Sequence, residues 1–242
     1  MGSSILEILT ASLYPPRCPW CGRARQRAGA TGPCRGCRRR LAPIAPGCPR
    51  CAEPGAPATC ERCLLSPPGP DRTRACLPYR PDPRGEGSPL REALHAWKYR
   101  RDLASGAALV ALFVDRTRDF PLVADSVVPV PTLRRRLARR GFDQAAELAR
   151  AVACARGLPL VGALRRIAPA DTQTVLGRAA RAANVRGAFR IPDPRAVAGK
   201  AVLLVDDVLT SGSTTDECAR VIRASGGRDV ELWVLGRTVR RT

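Results

Sequence analysis

A chain of 242 residues with 45% hydrophobic content is long enough for one α/β domain plus a small appendage, which excludes both a disordered polymer and a miniature scaffold. Its formal net charge is +20, and of its 41 basic residues all but Lys98 and Lys200 are arginine. That excess favours polyanionic partners, although a coding bias toward arginine with solvated side chains accounts for it equally well. No run reaches the roughly 18 consecutive apolar residues of a membrane span.

The opening MGSSILEILTASLYPPR lacks the basic start and long apolar core of an export signal, so a cytoplasmic protein is expected. Ile5, Leu6, Ile8, Leu9 and Leu13 fall on one side of a short helix suited to docking on the rest of the protein.

Four CxxC pairs follow: Cys18/Cys21, Cys34/Cys37, Cys48/Cys51 and Cys60/Cys63. Each such turn aims two thiolates at one point, and two turns complete a tetrahedron, so the pattern predicts two closed structural Zn²⁺ sites. Sequential pairing, first turn with second and third with fourth, is the simplest; a cross-braced pairing has compatible spacing. Disulfides do not suit a chain without an export signal, and a redox dithiol does not need four copies. The segment is poor in large apolar residues, so metal must supply much of its folding energy. Cys76, Cys154 and Cys218 stand singly among apolar residues and are expected in the core.

LLSPPGPD, residues 64–71, reads as a linker between a zinc module over residues 1–66 and a second domain over 71–242. In the second, residues 75–79 predict a strand, 81–87 a loop, and Ser88-Pro89 a helix start with Leu90, Leu94 and Trp97 on one face. A helix is expected over 103–116, a buried strand over 127–130, and a helix over 144–156 capped by Asp143. Residues 202–205 give the clearest strand. The following helix carries Cys218, Val221, Ile222 and Ser225 along one stripe and stops at Gly226-Gly227, before a strand at 230–235. Strands alternating with helices predict an α/β fold with a parallel sheet covered on both faces.

Within VLLVDDVLTSGST, Asp206 and Asp207 stand where ligands bind in open parallel sheets, beyond the carboxyl end of a strand and just before a helix. Thr210, Ser211, Gly212, Ser213 and Thr214 offer hydroxyls, a glycine that lets backbone N–H groups approach, and a helix N-terminus, which together suit a phosphate dianion. Two carboxylates repel that phosphate but accept hydrogen bonds from vicinal sugar hydroxyls, so the string reads as a ribose 5-phosphate site. The bland reading, a capping acid plus a loop charge, fits one Asp better than the whole string. A Walker loop and the dinucleotide fingerprint are missing, and the lone His95 lies in an amphipathic helix, so a histidine-based triad is not indicated.

VLLVDDVLTSGST resembles the phosphoribosyl pyrophosphate (PRPP) motif of type I phosphoribosyltransferases. VPVP (128–131), RGFDQ (140–144), TQTVLGRAARAANVRGAF (172–189) and the paired CxxC turns resemble the ComF family of competence-related proteins. The resemblance implies a type I phosphoribosyltransferase-like parallel sheet flanked by helices and preceded by a Cys-rich zinc ribbon. It implies that Asp206 and Asp207, the catalytic candidates, hold the ribose hydroxyls and that Thr210 to Thr214 cradle the 5-phosphate. Pro131, Arg139 and Arg140 are the candidates for pyrophosphate carried with Mg²⁺, and Arg178, Arg181 and Asn184 for a flexible segment closing over the substrate. Metal and arginine would then stabilise departing pyrophosphate, with little need for a protein nucleophile. Asp143 stands where the family has asparagine, and TSGST replaces TTGAT; the former adds a negative charge near the pyrophosphate unless it faces the helix it caps.

Five arginines between Arg134 and Arg140 predict a polyanion partner. The resemblance offers a second reading: a non-catalytic accessory of DNA uptake that binds single-stranded DNA, works with a competence helicase, and uses the PRPP site for regulation. With only 4% aromatic residues, such binding would be salt-dependent and poor in sequence preference. Related enzymes often form homodimers; the acceptor of any transfer is not written in the sequence.

Overall fold

A computed structural model describes residues 18–23, 33–56, 58–79, 89–167 and 185–239. The expected N-terminal helix, the 81–87 loop with Ser88, and the flexible-segment candidates Arg178, Arg181 and Asn184 lie outside the described residues. The elements, in chain order, are helices α1 (Arg35–Arg39) and α2 (Glu61–Leu65), strand β1 (Arg72–Tyr79), helices α3 (Pro89–Arg100) and α4 (Leu103–Thr117), and strand β2 (Ser126–Pro129). Helices α5 (Arg134–Arg140) and α6 (Gln144–Arg156) follow, then β3 (Arg165–Arg166), β4 (Phe189–Arg190), β5 (Ala201–Leu209), α7 (Ser213–Ala224) and β6 (Asp229–Thr238).

Two compact units divide the chain: Met1–Ala42 with Arg80–Leu112, and Pro43–Tyr79 with Phe113–Thr242. In the first, Leu90, Ala93, Leu94 and Trp97 form the buried stripe of α3, the face expected from their 3.6-residue spacing. Gly106 in α4 lets Trp97 lie close, since a β-carbon there would collide with the indole Nε1. Ser105 Oγ donates to the Pro19 carbonyl at 2.8 Å, holding the first CxxC turn on α4.

The second unit is built on a four-stranded sheet in the order β1-β6-β5-β2, parallel throughout. All of Ala201 to Val205 is buried because a parallel strand has no solvent face. Val128, Val202, Leu204, Leu232 and Val234 pack against Cys218, Ala219 and Ile222 of α7, each fully buried leucine or isoleucine contributing about 2 kcal/mol. Helix α6 lies against β5 and β2 and buries Leu148, Ala149 and Val152. Glu231, inside β6, is buried yet accepts from Arg74 Nε at 3.0 Å and Trp233 Nε1 at 2.8 Å, so its charge is matched.

Two expectations change, and two elements have no counterpart in the sequence reading. The 64–71 stretch is no loose tether: Gly69 N–H donates to Asp216 Oδ1 of α7 at 2.7 Å, and Asp71 and Val230 exchange hydrogen bonds of 2.8 and 2.9 Å, so a helix and the sheet each hold one of the few donors its prolines leave. Cys154 is exposed rather than core, since it falls on the solvent side of α6. The basic run over 134–140 forms α5, stopped by Gly141 at φ 84°. The short antiparallel β3–β4 pair, Arg165 opposite Arg190, is too brief to leave a periodic signal.

Candidate functional site

Four sulfurs each about 2.3 Å from one tetrahedral ion stand ~3.8 Å apart. Cys21 and Cys34 Sγ are 3.8 Å apart, Cys18 and Cys37 3.9 Å, and Cys51 and Cys60 3.8 Å. The sulfurs gather as Cys18, Cys21, Cys34 and Cys37, and as Cys48, Cys51, Cys60 and Cys63. The geometry thus selects sequential pairing over the cross-braced one, and the all-sulfur donor sets fit zinc.

Backbone amides pre-arrange the thiolates: Cys34 N–H points to Cys18 Sγ at 3.2 Å and Cys60 N–H to Cys48 Sγ at 3.4 Å. Burial pushes the Cys18 thiol up, but the N–H groups of Cys34, Trp20 and Cys21 outweigh it and bring it to about 6. Cys48 is brought to about 7 in the same way, burial being outweighed by Cys60, Arg50 and Cys51. Cys37 and Cys63 are pushed far up, by burial first and then by the neighbouring thiols. Four thiolates so close cannot all ionise at neutral pH unless a cation joins them.

The acid pair lies within β5 rather than after it. Pairing with β2 ends at Pro129 opposite Val205, whereas pairing with β6 continues to Leu209 opposite Arg237. Asp206 and Asp207 therefore emerge where one neighbour has stopped and the other still holds the backbone. Both are half-buried, and Asp207 N–H donates to Asp206 Oδ1 at 2.8 Å. Successive strand residues point to opposite faces. Accordingly Asp206 acts electrostatically on Arg166 and Cys218, on the side of α7, and Asp207 on Asp143, on the side of α6.

Beyond them Thr210 is exposed, and Ser211, Gly212, Ser213 and Thr214 are half-buried. Gly212 turns the chain with φ 91° and serves as the N-cap of α7 without a capping side chain. Ser211 and Ser213 hydroxyls are 3.1 Å apart, and Thr215 Oγ1 donates to the Gly212 carbonyl at 2.8 Å. The first N–H groups of a 12-residue helix thus face a hydroxyl-lined turn, an arrangement that accepts an anion.

Asp143 faces its helix. Its carboxylate accepts from Ala145 N–H at 3.0 Å and, through the other oxygen, from Thr132 N–H at 3.1 Å, clamping the turn that holds Pro131 to α6. Burial raises its pKa above the ordinary aspartate value. The two basic candidates part company: Arg139 is exposed, whereas Arg140 is buried and donates to Gln144 Oε1 at 3.1 Å. Arg134, Arg135 and Arg136 are exposed on α5.

Arg166 went unnoticed in the sequence. On β3, its guanidinium stands 5.1 Å over the Phe189 ring and its Nε has no partner among the described residues. Burial, then Arg136 and Arg135, lower its pKa, while Asp206 acts in the opposite sense. The only hint was a pair of arginines shortly before the TQTVLGRAARAAN stretch. Arg237 was also missed: buried at the end of β6, it donates to the carbonyls of Cys51 and Thr210 and to Glu53 Oε2. One guanidinium so joins the second cysteine cluster to the hydroxylated turn.

Comparison with known proteins gives matches to the phosphoribosyl transferase domain over residues 137–239 and to the double zinc ribbon domain over residues 9–64. The DNA utilization protein YhgH of Escherichia coli (strain K12) is 34% identical over 242 residues, covering 94% of this chain and 100% of that one. Competence protein F of Haemophilus influenzae is 27% identical over 234 residues, covering 91% of this chain and 96% of that one. Among solved structures, the allosteric regulatory enzyme of purine biosynthesis superposes with a TM-score of 0.40 at 24% identity, covering 54% of this chain and 26% of that one. No helix among the described residues is long and apolar enough to cross a membrane.

Proposed function

The chain belongs to the ComF family, a phosphoribosyltransferase-type domain joined to a double zinc ribbon, and from that premise we propose that it binds PRPP with Mg²⁺ and handles its ribose 5-phosphate group. The observation that carries this reading is the emergence of Asp206 and Asp207 past the end of β2, directly ahead of the Gly212 turn and the N-terminus of α7. The carboxylates take the ribose hydroxyls, and Thr210 to Thr214 take the 5-phosphate. Mg²⁺, brought with PRPP, supplies charge neutralisation for departing pyrophosphate.

Thr132 N–H is committed to Asp143, so the turn after β2 offers Pro131 and its neighbours in a fixed shape. Exposed Arg139 supplies positive charge there. Arg140 contributes by its bond to Gln144, which sets the start of α6 beside that turn. Titration of the zinc-loaded protein with PRPP and Mg²⁺ tests the reading: Asp206→Asn with Asp207→Asn should weaken binding by at least about tenfold. Unchanged affinity in that double variant overturns it.

A second reading draws on the exposed Arg134, Arg135, Arg136 and Arg139 and on the names DNA utilization protein and Competence protein F carried by the relatives. In it the protein is a non-catalytic accessory of DNA uptake that binds single-stranded DNA along α5, and PRPP acts as a regulator. PRPP binding without pyrophosphate release, whatever base, amine or nucleic acid is offered, favours this version. Affinity for DNA that survives charge reversal at Arg134 to Arg136 in low salt removes it.

A further inference from the structure

The hydroxylated turn is held at both ends by the second cysteine cluster. At its start, Arg237 Nη1 donates to the Thr210 carbonyl at 3.2 Å, while Nε of the same guanidinium donates to the Cys51 carbonyl at 2.8 Å. Beyond its end, Gly69 N–H donates to Oδ1 of Asp216, in the first turn of α7, at 2.7 Å, and Gly69 follows Cys63 by six positions. We propose that these two bridges couple metal to sugar phosphate: Arg237 and Gly69 are positioning residues through which the zinc-loaded second cluster shapes the turn for the 5-phosphate. The inference rests on the assignment of that turn to ribose 5-phosphate, and its test tells the two apart.

Each bridge starts from a different half of the cluster, Cys48 and Cys51 forming one half and Cys60 and Cys63 the other. Thiols are weak hydrogen-bonding groups, so a tetrahedral ion is what fixes the distance between the halves. Neither bridge is slack. The first half is pinned to β1, with Thr73 N–H donating to the Pro49 carbonyl and Thr73 Oγ1 to the Arg50 carbonyl, both at 2.8 Å. Arg237 Nη2 meets Glu53 Oε2, just past that half, at 2.8 Å. The second half reaches Gly69 through Pro67 and Pro68, whose rings fix φ. Gly69 lies so close to α7 that a β-carbon would collide with the Asp216 backbone, and its carbonyl accepts from Arg223 Nη1.

Asp216 passes its position on to the centre of the turn, since a β-carbon on Gly212 would stand 3.3 Å from Asp216 Oδ2. Cluster, bridges and turn enclose a cavity of about 300 Å³ whose lining includes Cys51, Cys63, Pro68, Ser211, Asp216 and Arg237. A void has no atoms to transmit a push, so the bonds along its walls carry the coupling. Such a coupling is reciprocal: the factor by which zinc improves the affinity for PRPP is the factor by which PRPP improves the affinity for zinc. Both bridges begin at the second cluster, so the effect belongs to one of the two ions.

The test is an equilibrium titration of the zinc-loaded full chain with a zinc-selective chelator, read as zinc per chain by native mass spectrometry, with and without saturating PRPP and Mg²⁺. PRPP should raise the zinc affinity of one site about tenfold and leave the other unchanged. Arg237→Lys should remove most of that gain, because a point charge cannot serve two carbonyls and Glu53 together. It should also weaken PRPP binding at a temperature where circular dichroism shows the variant folded. Arg74→Met takes a partner from buried Glu231 and so weakens the same sheet, yet should keep the full gain. If Arg237→Lys does not fold, Gly69→Ala, which disturbs the other bridge, takes its place with the same expected loss. Equal protection of both ions, a full gain in the bridge variant, a gain lost in Arg74→Met, or PRPP that binds without changing zinc affinity overturns the coupling and leaves the 5-phosphate assignment standing. Failure of PRPP to bind the zinc-loaded chain overturns both.

Discussion

Arg237 Nε donates to the carbonyl of Cys51 at 2.8 Å, across 186 positions of sequence, and its Nη2 meets Glu53 Oε2 at 2.8 Å. The side chain is only 5% exposed, so its charge depends on these partners rather than on water. Arg237→Met should lower the free energy of unfolding by about 3 kcal/mol, because Glu53 and the carbonyls lose their donor. Adding Glu53→Gln should recover part of that loss. Urea unfolding of the three proteins at one zinc concentration gives the comparison, and equal stability of wild type and Arg237→Met refutes the clamp.

Removing metal ligands should separate the two clusters. The protein should carry two zinc ions per chain, and Cys18→Ser and Cys48→Ser should each lose one, read by native mass spectrometry. Because Cys48 belongs to the unit that contains the sheet and Cys18 does not, only Cys48→Ser should make the sheet susceptible to limited proteolysis. Structural zinc contributes on the order of 10 kcal/mol to small modules, so the difference should be large.

Acid stability should depend on Glu217. Arg220, first, and then Gly187 N–H hold its carboxyl below the ordinary glutamate value. A depressed folded value means that this stabilisation is complete above the unfolded pKa, about 4.3, and is lost as pH falls through the folded one. Glu217→Gln should flatten the stability profile below about pH 4.3 and cost about 1 to 2 kcal/mol at neutral pH. An unaltered acid limb in thermal melts excludes this role.

Gly212→Ala tests the turn itself. A φ of 91° is strained for any L side chain, and the new β-carbon would stand 3.3 Å from Asp216 Oδ2. The substitution should cost about 1 to 2 kcal/mol and weaken PRPP binding by distorting the hydroxylated loop. Calorimetry on the variant gives both numbers.

Much of this architecture is written locally in the chain. The CxxC spacing announces two metal sites because four ligands at fixed chemistry leave little freedom, and the unbroken run Ala201–Val205 announces a strand buried on both faces. The extent of that strand is not local: Asp206 and Asp207 are polar and break the apolar pattern, yet the ladder to β6 carries them on to Leu209. Cys154 was misjudged because a stretch as rich in alanine as α6 hides which side faces water. Arg166 and Arg237 could not be singled out among 39 arginines, since what distinguishes them is contact with Phe189, Cys51 and Thr210, all distant in sequence.

Among the described residues strand β1 pairs only with β6, so Arg72 waits for Glu231 and Tyr79 for Thr238. During synthesis the second knuckle is complete and able to capture its ion long before that partner leaves the ribosome. The early segment must remain soluble with an unpaired edge until the final strand arrives, and closure is then slow because of the long chain separation. Truncation near the C-terminus would accordingly strand a metallated N-terminal half with its edge uncovered, a species prone to self-association and proteolysis.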